Sequence, residues 1–289
     1  MKQIMLLIIT VCLGLQLQSQ VHREHQLITL DVSGYDEIQF YNKHGKVDVR
    51  GVKGDDMRIE GERILRAKSN KKLEEAKAQI FLDTFTVGNA LVVFINNPFY
   101  RLDGDYDDGF MHYTTYKKYQ NTQFWKKKYV NFEFDIQIDI PHDSNLKVRT
   151  HSGDLTVRNL QGRLAASNHH DDIMLHEVLD VTDVHTHHGD ISVSLIESPS
   201  ADVAFSSHHG DISVSVPSEP SAMIHFDSHH GDFYTDFDWR NVPRSRHEVS
   251  VSNIKTKYKL SDKTLVQMGE GEYKFSFDTH HGDMYLLQL

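Results

Sequence analysis

Apolar and polar residues alternate with a period of two along most of this chain, the pattern of strands that bury one face. Between His25 and Gly61 the alternation runs through Leu27 to Val32, then Ile38 and Phe40, then Val47, Val49 and Val52. It resumes at Phe81 to Val87 and Ala90 to Ile95, where Gly88-Asn89 predicts a tight turn between two strands. Phe132, Phe134, Ile136, Ile138 and Ile140 form a further strand, ended by Pro141. A period near 3.6 occurs once: Leu73, Ala76 and Ile80 share a face behind a capping Ser69. One short helix in a strand-rich chain is expected to cover an open end or edge.

Beyond Pro141 the pattern becomes a repeat. Thr186-His-His-Gly-Asp-Ile191 returns as Ser207 to Ile212, Ser228 to Phe233 and Thr279 to Met284, with weaker copies at Thr150 to Leu155 and Asn168 to Ile173. Ser152 replaces the second His in the first weak copy, and Asp171 replaces Gly in the other. Asn42 to Val47 is an early, degenerate copy that fits the first rung of the same stack. Counted on Asp154, Asp172, Asp190, Asp211, Asp232 and Asp283, the steps are 18, 18, 21, 21 and 51 residues. The long step has room for one more degenerate rung and an insertion around Trp239 to Lys263. A step near twenty marks a repeat architecture. Each copy reads strand, corner, strand and cannot bury its apolar side alone, whereas stacking puts equivalent residues in columns about 4.8 Å apart. The fold class is therefore all-β, a β-solenoid with one covering helix.

The run Phe132 to Pro141, followed by Leu146-Lys-Val-Arg-Thr150-His-Ser-Gly153-Asp154-Leu-Thr-Val157, resembles a bacterial family of exported β-strand-repeat proteins, a domain of unknown function to which the name adhesin is attached. The resemblance covers most of residues 26–289 and rests on the serial spacing of short Gly-Asp-Ile corners. It implies a single-stranded β-helix, expected to be right-handed, and more loosely a role at the cell envelope.

Three segments are expected. Residues 1–19 read as a signal peptide, with Lys2 before the apolar run Ile4 to Leu15. Residues 20–141 form a strand-rich part, continuous with the solenoid, with the helix and an irregular insertion over 97–130. Residues 142–289 are the repeats. Removing the signal removes Cys12, the one cysteine, so disulfides and thiol chemistry are excluded from the mature chain. The formal charge of -10 becomes one unit more negative without Lys2, which argues against nucleic acid as partner. No other stretch is apolar enough to span a membrane. Export, to the periplasm, the outer surface or the medium, and an envelope, glycan or protein ligand are the expectation.

Within the insertion, Asp103, Asp105, Asp107 and Asp108 invite a calcium loop, but Gly109 comes one residue late for the EF-hand pattern and Thr114 stands where its closing Glu belongs. A solvated, mobile insertion is expected there.

The corner explains Gly and Asp, through a positive φ or close approach and through acceptance of turn amides. It does not explain the paired histidines. The first of each pair (His151, His169, His187, His208, His229, His280) predicts one column and the second (His170, His188, His209, His230, His281) a neighbour. Stacked aspartates at ~4.8 Å repel by about 3 kcal/mol per pair at an effective dielectric near 20, so a positive partner is expected: protonated His below about pH 6.5, or a cation above it. Exposed imidazoles that merely stack, a pH-sensing surface, and a site for zinc, nickel or copper are all open. The candidate metal set is His169 and His170 with Asp172, His187 and His188 with Asp190, His208 and His209 with Asp211, His229 and His230 with Asp232, and His280 and His281 with Asp283. Because neighbouring side chains on a strand point apart, such a site is expected to be shared between rungs. Catalysis needs one asymmetric acid–base set, while these residues recur at every rung, and no nucleophile-elbow, zincin or phosphate-loop motif occurs. An enzyme is not expected.

Overall fold

The computed structural model describes residues 20–104, 108–117, 129–241, 258–261 and 264–289, so the signal segment 1–19 lies outside the described residues. The described residues are all-β with one helix. Its N-terminal part comprises β1 (Gln20–Asp31), β2 (Glu37–Tyr41), β3 (Val47–Val52), β4 (Asp56–Ala67), α1 (Asn70–Gln79), β5 (Phe81–Val87), β6 (Ala90–Asn96), β7 (Tyr100–Asp103), β8 (His112–Thr115) and β9 (Val130–Pro141). Five two-strand rungs follow: β10 (Leu146–Arg149) with β11 (Leu155–Arg158), β12 (Arg163–Ser167) with β13 (Ile173–Val178), and β14 (Asp180–His188) with β15 (Ile191–Leu195) are the first three. The next two are β16 (Val203–His209) with β17 (Ile212–Val216), and β18 (Ala222–His230) with β19 (Asp232–Thr235). Three short strands, β20 (Arg240–Asn241), β21 (Tyr258–Ser261) and β22 (Thr264–Gln267), precede a last rung of β23 (Tyr273–His281) and β24 (Met284–Gln288).

Each rung gives one strand to each of two open eleven-stranded sheets, and rungs pair in parallel. Register stacks like on like. Leu155, Ile173, Ile191, Ile212, Met284 and Phe233 form one inward column. Val184, Phe205, Phe277 and Phe226 form the facing one, and all four are at most 1% exposed. Burial of each such phenylalanine contributes about 2–3 kcal/mol. The helix begins where Ser69 predicts, its side chain accepting from Lys72 N–H at 3.3 Å. Leu73, Ala76 and the following Ile80 are buried as α1 packs on β1, β4 and β9.

The copies do not stack in chain order. The C-terminal rung β23/β24 lies between β16/β17 and β18/β19. At the other end β2/β3 lies between β10/β11 and the pair β6 and β9. Both terminal rungs are closed by antiparallel strands, β5 and β4 at one end and β22 and β21 at the other. The described part of the long step thus forms these closing strands where a further parallel rung was expected. With that edge of β18/β19 taken, the last copy pairs with the opposite edge.

The insertion also differs from expectation. β7 and β8 form a hairpin docked on the outer face of one sheet, where Tyr113 Oη donates to the carbonyl of Tyr41 (3.0 Å) and Tyr41 Oη accepts from Met111 N–H (3.3 Å). Asp105 and Asp107 lie outside the described residues. Asp108 meets His112 and Arg149, each at 2.8 Å.

Candidate functional site

The repeated corner is built from five columns. Buried at its base stands the Thr/Ser/Asn column. Thr186 donates to Asp171 O (3.3 Å), Ser207 to Gly189 O (3.0 Å) and Thr279 to Gly210 O (3.3 Å), each reaching the preceding rung. Sequence reasoning missed this role, although the strict Thr, Ser or Asn before each His was its signal. These groups satisfy corner carbonyls that the close approach of rungs removes from water.

That close approach fixes glycine. A Cβ on Gly189 would stand 2.3 Å from Asp171 O, on Gly210 2.0 Å from Gly189 O, on Gly282 2.1 Å from Gly210 O and on Gly231 1.8 Å from Gly282 O. Steric exclusion by the next rung, common to every full copy, is what the corner requires.

The aspartates form a directed chain. Asp172 Oδ1 accepts Asp190 N–H (2.9 Å), Asp190 accepts Asp211 (2.9 Å), Asp211 accepts Asp283 (2.8 Å) and Asp283 accepts Asp232 (2.9 Å). Backbone amides therefore supply the positive partner that the sequence demanded. At the degenerate first rung a cation does so, Lys46 lying 3.1 Å from Asp154.

The histidines form a two-column ladder. The first column runs His169, His187, His208, His280, His229, with ring centroids 5.0, 4.8, 4.9 and 4.8 Å apart and planes within 17° of parallel. The second runs His170, His188, His209, His281, His230 at 5.8, 4.9, 5.0 and 4.7 Å. Adjacent side chains were expected to point apart. At this corner they meet edge to face, His187 and His188 at 4.3 Å, as do His208 and His209. The Nδ1 atoms of His169, His187 and His280 are buried without a hydrogen-bond partner.

Loss of water and the neighbouring imidazoles push the pKa values of His187, His209, His280 and His281 down. Burial, then the adjacent imidazoles, lowers His169 to about 4, and burial with Lys43 lowers His151 to about 2. At these positions the ladder resists the charge that was expected to appear near pH 6.5, so at neutral pH it presents ring lone pairs.

Those lone pairs converge in one place. Among the described residues, a single set brings three metal-ligating atoms within 4.8 Å of one another: His151, His169 and His170. Along the rest of the ladder parallel rings aim their nitrogens alike, and Asp172, Asp190, Asp211, Asp232 and Asp283 do not join the histidines in such a set. Beside the convergent end lies a cavity of about 90 Å³, lined by Lys43, His112, Tyr113, Arg149, His151 and His169 among others. Nearby, burial and the charge of Asp108 raise Asp183 to about 6.

Residues 126–265 match the model of a known family. That family is Toastrack DUF4097. The resemblance drawn from the serial Gly-Asp corners is borne out, and Toastrack is a β-solenoid-like fold. The rungs β2/β3 and β23/β24 lie outside the Toastrack match yet stack within the same sheets. No curated protein matches the sequence. A structure from Clostridium sporogenes, named for an inferred role in cell adhesion, is similar over 93% of this chain and 100% of its own, at 12% identity and TM-score 0.36. One from Bacteroides fragilis, named for an inferred adhesin role, aligns over 92% and 97% at 11% identity and TM-score 0.33. A third, from Parabacteroides distasonis and named for inferred lipid binding, aligns over 92% and 96% at 10% identity and TM-score 0.29. At these similarities the functional names stay with those proteins. No helix among the described residues is long and apolar enough to cross a membrane.

Proposed function

We propose that this chain is an exported, non-catalytic β-solenoid that acts as an adhesion or interaction module at the bacterial cell envelope. The observation that carries the reading is the ladder: five consecutive rungs present the same His-His pair in register, with rings held about 5 Å apart. An array of equal groups suits a partner that is itself repetitive, because many weak contacts add through effective concentration. A catalytic site would need one set of unlike groups. In this reading the segment 1–19 is removed on export, residues 20–141 are continuous with the repeats of 142–289, and the coil is a single-stranded, right-handed β-helix. The partner is a glycan, an envelope polymer or an envelope protein. A glycan array and an envelope pull-down test it: specific retention that falls when His187, His188, His208 and His209 become Ser supports the reading, and retention at background sinks it.

A second reading, binding or buffering of zinc, nickel or copper by the His and Asp columns, is favoured by the neutral imidazoles. Engagement of the carboxylates by amides tells against the Asp half of it.

A further inference from the structure

The ladder ends where Ser152 stands in place of a second histidine. Without that ring, His151 is free to turn. Its plane is 66° from that of His169 at 4.6 Å and 50° from that of His170 at 5.0 Å, while His169 and His170 meet at 4.3 Å and 66°. Rings stacked in parallel cannot direct their nitrogens at one point. Three mutually tilted rings can, and here one ligating nitrogen of each lies within 4.8 Å of the others. A tetrahedral ion bound at 2.0–2.1 Å sets its nitrogen ligands roughly 3.4 Å apart, so closing the site asks each pair to draw in by no more than about 1.4 Å.

We propose that His151, His169 and His170 hold one divalent transition-metal ion of the zinc, nickel and copper class, with a fourth position left to water or an anion. Three imidazoles and no carboxylate suit these ions over calcium or magnesium. Burial keeps His151 and His169 unprotonated at neutral pH, so no proton competes with the metal there. The surrounding charges decide the fourth ligand. Lys43 and Arg149 raise the cost of a bare cation, although Arg149 is paired with Asp108 at 2.8 Å. His44 and His187 add no carboxylate. His151 and His169 line the same cavity as Lys43 and Arg149, so an anion entering there offsets both the ion and the flanking cations.

This inference narrows the metal reading of the ladder to one end and stands apart from the envelope reading. The test is calorimetric titration of the purified chain with Zn²⁺ and with Ni²⁺ at neutral pH. It compares the unaltered protein with His151→Ser, His170→Ser and a mid-ladder His208→Ser/His280→Ser variant, each checked for its strand content by circular dichroism. One ion per chain is expected. Its affinity should fall about 100-fold or more in either single variant, since even outer-shell changes at metal sites cost 10–100-fold, and should hold in the mid-ladder variant. His170 is exposed, so its replacement keeps the test valid if His151→Ser fails to fold. Absence of binding, or binding that survives both single variants, overturns the site. Loss of binding only in the mid-ladder variant places the ion in the ladder and equally overturns it. Envelope retention is measured separately, so failure of that reading leaves these outcomes unchanged.

Discussion

Replacing Gly210 by Ala tests the close approach of rungs on which the stack depends. The added Cβ would lie 2.0 Å from Gly189 O, 2.5 Å from the carbonyl carbon and 3.0 Å from Asp190 Oδ1. An ordinary contact needs more than a further ångström, and the obstacle is backbone, which cannot swing away as a side chain can. The rungs must therefore part at this corner. Two bonds cross it, Gly189 N–H to His209 O at 3.0 Å and Asp211 N–H to Asp190 Oδ1 at 2.9 Å. At about 1 kcal/mol net for the neutral bond and ~2 kcal/mol for the one to a carboxylate, their loss alone costs about 3 kcal/mol. Gly34, which has nothing within 4 Å of its would-be Cβ, is the control, expected to be neutral or to gain a few tenths of a kcal/mol by stiffening the unfolded chain. Urea unfolding of both variants, with the slope compared to confirm two-state behaviour, gives the two values. Equal stability of Gly210→Ala and Gly34→Ala would refute the close-approach argument and leave the glycine column without a cause.

Three further outcomes follow from the same geometry. Cysteines at Ser213 and Tyr285, register partners on β17 and β24, are expected to cross-link under mild oxidation, whereas Ser213 with Tyr234 of β19 is not; the reverse result would restore chain-order stacking. Thr186→Val removes one of the two side-chain bonds to the Asp171 carbonyl, which keeps the one from Asn168 Nδ2 at 2.8 Å, and is expected to cost about 1 kcal/mol, measured by the same unfolding assay. Acid is expected to weaken the fold. His151 and His169, lowered to about 2 and about 4, contribute stability that is full above pH 6.5 and is lost as pH falls below it, because the unfolded chain then binds protons the native one refuses. Asp183, raised to about 6, works the other way, contributing below pH 3.8 and losing that contribution as pH rises through 6. Two histidines outweigh one aspartate, so the urea midpoint should fall from pH 7 to pH 5, less steeply in His151→Ser; a midpoint that rises over this range contradicts the assignment.

Strand positions, the helix and the corners were legible because each depends on local pattern: a period of two, a Ser cap, a Gly-Asp pair. Rung order was not. The inward residues of the last copy, Phe277 and Met284, fit beside Phe205 and Ile212 as well as they would fit beyond Phe226 and Phe233, since all copies share one pattern. What sets the order is the antiparallel closure of β18 and β19, a long-range pairing with no local signal. The partner of the aspartates was misread for a related reason: charge counting sees side chains, and the amides of the next rung exist only once the rungs stack. The candidate metal set omits His151, whose copy carries Ser152 in place of a second histidine. That departure, Ser152, is what lets the ring turn, so the imperfect copy marked the site and the perfect ones marked the ladder.

The central claim is that the repeated histidine face is the surface by which this chain engages the envelope. Its most direct measurement is retention on isolated cell envelopes of the unaltered chain beside a folded variant with His187, His188, His208 and His209 changed to Ser. The account predicts retention of the former and its loss in the latter, with strand content and unfolding midpoint preserved. Equal retention of the two would contradict it.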